Sequence, residues 1–81
     1  MTRRQVSQQE IDMAIEVLRS RLERKLLKHG YGAYASPHEV LGIIVEEHKE
    51  LVDAVHANDR DNTIEELLDI AVGCVFGVAS L

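Results

Sequence analysis

The run Ile70-Ala71-Val72-Gly73-Cys74-Val75-Phe76-Gly77-Val78-Ala79-Ser80-Leu81 carries no charged side chain, and its reading decides the fold. It continues a helical pattern, and a helix that is apolar all round must be covered all round. About a dozen residues is too short to span a bilayer, which needs roughly 20. Two companion helices in 81 residues cannot cover it alone. Left bare, it would exceed the few hundred Å² of apolar patch usual on soluble monomers. The expected architecture is all-α: three helices that form a bundle by homo-oligomerisation, as a homodimer or homotetramer.

Upstream, the other helices announce themselves by their caps. Ser7-Gln8-Gln9-Glu10 has capping-box spacing, and Ile11, Ile15, Leu18, Leu22 and Leu26 then keep one face until Gly30 stops the helix. Ser36-Pro37-His38-Glu39 repeats the cap with proline at the first helical position. After the polar turn Asn58-Asp59-Arg60-Asp61-Asn62, Asn62 or Thr63 has cap spacing to Glu65 or Glu66. The predicted helices cover about 7–29, 37–57 and 62–81 in a single domain over 1–81. Nothing alternates with the period of a strand.

Composition sets the limits. With no Trp, one Phe and two Tyr, the core is thin, which again points to a partner. A single cysteine, Cys74, excludes a disulfide framework within the chain and a cysteine-based zinc site; among apolar neighbours it is expected to be an inert core thiol. No basic-then-apolar leader opens the sequence, so a soluble, cytoplasmic protein without a membrane partner is expected. The net charge is −5 and it is unevenly spread. Residues 1–38 hold seven cations against four acids, whereas residues 39–81 hold ten acids against Lys49 and Arg60. An acidic chain argues against nucleic acid as a partner.

The acids fall in a pattern. On the second helix Val40, Ile43, Ile44, Leu51, Ala54 and Val55 form the apolar stripe, with Glu47 in its middle and Glu50 one turn on. His48 flanks that stripe and is expected to be packed and hydrogen-bonded. Glu66 and Asp69 share one face of the third helix, a face continued by Gly73 and Gly77, whose spacing suits close helix packing. The fifteen residues between Glu50 and Glu66 allow a reversal, so the two pairs can meet across antiparallel helices. Carboxylates gathered in one pocket repel by on the order of 4 kcal/mol per close pair at an effective dielectric of about 20. Either some keep their protons or a cation sits among them. Oxygen donors alone favour Mg²⁺, with Mn²⁺ possible, over zinc. Phosphate oxygens commonly fill the remaining positions of Mg²⁺, which suggests metal-assisted attack of water on a phosphate ester or anhydride.

The stretch Glu46-Glu47-His48-Lys49-Glu50, followed by Glu66-Leu67-Leu68-Asp69, resembles the EExxE…ExxD signature of MazG-like nucleotide pyrophosphohydrolases. That all-α superfamily also includes dimeric dUTPases and phosphoribosyl-ATP pyrophosphatases. The likeness runs from about His38 to the end. It implies Mg²⁺-dependent cleavage of a nucleoside triphosphate between its α and β phosphates, giving monophosphate and pyrophosphate. By the same resemblance Glu47, Glu50, Glu66 and Asp69 would be the metal ligands. Glu46 and Glu47 would be the catalytic carboxylates, with Glu46 acting behind the ligands or on the attacking water. Lys49, or the Arg21/Arg24/Lys25/Lys28 cluster, would meet phosphate oxygens. Family members usually continue into a fourth helix that helps to close the site, a role expected here of helix one from a neighbouring subunit. The alternative reading keeps the fold but not the reaction: a non-enzymatic helical interaction module.

Overall fold

The computed structural model describes residues 2–81. They form three helices, α1 (Gln8–His29), α2 (Pro37–His56) and α3 (Arg60–Ser80), and the described residues contain no strand. Local chemistry explains each boundary. Ser7 Oγ accepts from the Glu10 amide while the Glu10 carboxylate accepts from the Ser7 amide, closing a reciprocal cap. Gly30, at φ +84°, ends α1 and donates to the Leu26 carbonyl. At α2 the cap is shared differently: Ser36 Oγ accepts from Glu39, but the Glu39 carboxylate reaches one residue further back, to the Ala35 amide.

The α2–α3 turn is tighter than the sequence suggests. Asn58 adopts φ +55°; its amide donates to Val55 and the Asp59 amide donates to Ala54, the paired bonds of a Schellman ending. Asp59 then caps α3 through the Asn62 amide, so α3 starts at Arg60 and not near 62, and α2 ends at His56. Once Asp59 satisfies the first free amides, Asn62 and Thr63 are already inside the helix.

α2 and α3 pack as an antiparallel hairpin at very short range. A Cβ built on Gly73 would stand 3.0 Å from Ile44 Cδ1, and one on Gly77 would stand 2.9 Å from Val40 Cγ1. The paired glycines therefore serve helix approach. α1 lies against α3 alone, through half-buried Leu18, Leu22 and Leu26. Ile11 and Ile15 on the same stripe stay exposed. Tyr34 packs edge-on against Phe76, with ring centroids 5.0 Å apart, and its amide donates to Ser80 Oγ. These contacts tie the loop before α2 to the end of α3.

The core is as thin as the composition implies. Ala54 and Val72 are the buried apolar residues among those described. Three expectations need correction: Cys74, Val55 and His48 are all exposed in the single chain. No helix among the described residues is long and apolar enough to cross a membrane.

Candidate metal centre

The glycine contacts set the register of the hairpin. With Val40 against Gly77 and Ile44 against Gly73, the next turns bring Glu47 and Glu50 level with Asp69 and Glu66. One carboxylate oxygen from each of Glu47, Glu66 and Asp69 lies within 4.8 Å of the other two. Glu47 Oε2 and Glu66 Oε2 are buried and have no hydrogen-bond partner among the described residues. Such orphaned anionic oxygens are costly unless something compensates them.

Their protonation reflects that cost. Burial pushes the Glu47 carboxyl above its ordinary value, and the charges of Glu50, Asp69 and Glu66 push the same way. Glu66 is raised by burial, by a hydrogen bond shared with Glu50 and by the charges of Glu50 and Asp69; Arg21 pulls it back. Glu50 is itself exposed, on the rim beside both glutamates. Glu46 and Lys49 are also exposed, and neither joins the three-carboxylate group.

α1 supplies the positive charge. Arg21 Nη1 donates to Asp69 Oδ1 at 2.9 Å, Lys25 Nζ stands 3.3 Å from the same oxygen, and Arg21 Nη2 pairs with Glu65. The sequence placed Arg21 and Lys25 in a basic cluster but did not join them to Asp69. The available signal was a match of spacing: Arg21/Lys25 and Glu65/Asp69 are both four residues apart, so two charged faces can zip together. Arg24, Lys28 and His29 continue the basic strip along a shallow groove.

Between α1 and α2, with α3 as its floor, lies a cleft of about 290 Å³. Leu22, Leu26, Ile43, Val72, Tyr34 and Phe76 give it apolar walls, and Glu47 and Asp69 close one end. An apolar recess opening onto a carboxylate cluster can hold a flat organic group beside a cation and its anionic ligand.

The donor set suits a hard divalent cation. All three converging donors are carboxylate oxygens, with neither cysteine nor histidine among them, and Glu47 and Glu66 each carry a buried oxygen without a partner. Fold and site together define an all-α protein with an acidic centre on a helical hairpin. The MazG nucleotide pyrophosphohydrolase domain matches residues 35–80, more than half of the chain, and the chain belongs to that family. The match takes in α2, α3, the three converging acids and Glu50 on their rim, while α1 with Arg21 and Lys25 lies outside it. No curated protein and no solved structure matches the chain.

Proposed function

We propose that the chain is a Mg²⁺-dependent nucleoside triphosphate pyrophosphohydrolase that cleaves a (d)NTP to (d)NMP and pyrophosphate. The observation that carries this reading is the convergence of Glu47, Glu66 and Asp69 with two buried oxygens unpartnered. Glu47, Glu66 and Asp69 would hold the ion, with Glu50 closing the cluster on its exposed side; Mn²⁺ would serve in its place. When bound, the cation neutralises charge that builds on the phosphate oxygens and helps to orient the reactants. Glu46 precedes Glu47 and faces solvent, where its carboxylate would take the proton of the attacking water. Attack at the α-phosphorus breaks its bond to the bridging oxygen, and pyrophosphate leaves with that oxygen. Lys49 or the basic strip of α1 would meet the outer phosphates. The apolar cleft would take base and sugar, shielding the reacting end from bulk water.

We also propose that a single three-helix domain works as a homodimer or homotetramer in the cytoplasm. Along α3 and its C-cap the residues Ile64, Leu67, Ala71, Cys74, Val78 and Leu81 alternate three and four apart, the spacing of a helix-packing seam. Leu67 is 52%, Val78 80% and Leu81 70% exposed. On α2, Leu41, Val45 and Val55 form a second exposed apolar row. A second copy of the hairpin would bury both rows in a four-helix bundle.

The test is a pyrophosphate-release screen over canonical and modified (d)NTPs with Mg²⁺, run beside Glu47→Gln. Release by the parent and its loss in the variant is the expected result. A Glu47→Gln protein as fast as the parent would sink the assignment. So would silence of the parent with every nucleotide and with Mn²⁺, which is the outcome of a non-enzymatic interaction module.

A further inference from the structure

Arg21 is the least exposed cation of the structure's ion pairs, with its side chain only 16% accessible, and Asp69 beside it is 19% accessible. Arg21 meets Asp69 and Glu65, while its Nε is buried without a partner. The guanidinium is thus held by carboxylates, in a setting where solvent and salt screen poorly. Both α1 cations engage one oxygen of Asp69, Oδ1, and Asp69 also offers a carboxylate oxygen to the group it forms with Glu47 and Glu66.

We propose that Arg21 is the built-in counter-ion of the acidic cluster, a positioning residue that lowers the affinity of Glu47, Glu66 and Asp69 for a divalent cation. This rests on the reading of those three carboxylates as cation ligands. A fixed unit charge on a ligand's own oxygen repels an incoming dication and draws electron density from that ligand. Two effects compete when the charge is removed. Repulsion falls, which tightens binding; the orientation of Asp69 weakens, which loosens it, commonly by about 10–100-fold where a partner is lost outright. Here Lys25 stays on the same Oδ1 at 3.3 Å, so Asp69 keeps a partner and the charge effect prevails.

The test is Mn²⁺ binding to the full chain without nucleotide, followed by the electron paramagnetic resonance signal of free Mn²⁺. Arg21→Met should bind about tenfold more tightly than the parent, the scale expected of one poorly screened charge. Arg21→Lys, which keeps the charge and loses the fork, should bind like the parent. Lys25→Met should tighten binding by a smaller factor, because Lys25 is 43% exposed. Equal or weaker binding by Arg21→Met overturns the inference, and so does Arg21→Lys behaving like Arg21→Met. Should circular dichroism show Arg21→Met unfolded, Lys25→Met decides, and binding no tighter than the parent is the refuting result. A parent that binds no Mn²⁺ overturns the metal-site reading itself and this inference with it; a parent that binds while the variants fail to tighten overturns this inference alone.

Discussion

Gly77 is the point where a single methyl group tests the hairpin that brings the acids together. Alanine is favoured over glycine inside a helix by about 1 kcal/mol, so Gly77→Ala and Gly73→Ala start with the same gain. Their surroundings differ. The new methyl at position 77 would meet Val40 Cγ1 at 2.9 Å, and a β-branched valine on a helix is confined to essentially one rotamer. At position 73 the neighbour is Ile44 Cδ1 at 3.0 Å, the far end of a longer side chain that can turn aside. Forcing a methyl into the first contact costs about 1–3 kcal/mol, which cancels or exceeds the helix gain. The second contact costs much less. Gly77→Ala should therefore be less stable than Gly73→Ala by about 1–3 kcal/mol, on the order of 10 °C in Tm for a domain of this size. Thermal melts at one fixed protein concentration measure the difference, since assembly makes Tm depend on concentration. Prising α2 from α3 at Gly77 should also spread the carboxylates and weaken Mn²⁺ binding in the same variant. A Gly77→Ala protein as stable as Gly73→Ala would refute the close approach of the two helices.

Glu47 and Glu66, held above 4.5 by burial and by their acidic neighbours, bind protons more tightly in the folded chain than in the unfolded one. Their contribution to stability is present below that ordinary value and is lost as pH rises through the raised folded-state values. With chelator present, Tm should fall as pH is raised above 4.5, and Glu66→Gln should flatten that slope; an unchanged slope would show that these groups do not cause it. Glu10, held low by the Ser7 amide and hydroxyl and by Arg4, acts oppositely and only as pH falls below 4.5. Leu67→Asp, at an exposed seam position of α3, should shift sedimentation from dimer or tetramer to a monomer or unfolded chain. A folded parent monomer at micromolar concentration would overturn the assembly.

Much of the fold was legible because the signals are local. The Ser7 and Ser36 caps, the Gly30 stop and the apolar periodicity act over one or two helical turns, so the residues themselves announce three helices. The error at the start of α3 has the same origin: Asp59, Asn62 and Thr63 are all competent caps. The choice among them was made by the Asn58 turn, which fixes how α2 ends.

The candidate site divides along the same line. By itself the sequence determined that Glu47/Glu50 and Glu66/Asp69 are neighbours on their own helices, because helical pitch sets those distances. It also determined that the uncharged run from Ile70 to Leu81 had to face something apolar. Tertiary structure decided which acids converge, that Glu50 and Glu46 stay at the rim, and that Arg21 and Lys25 close on one oxygen of Asp69. It decided too that Cys74 and Val55 face outward and that a cleft opens between α1 and α2. Those outcomes depend on the separation and register of whole helices, set here by the contacts of Gly73 and Gly77 with α2, and local periodicity carries no information about either.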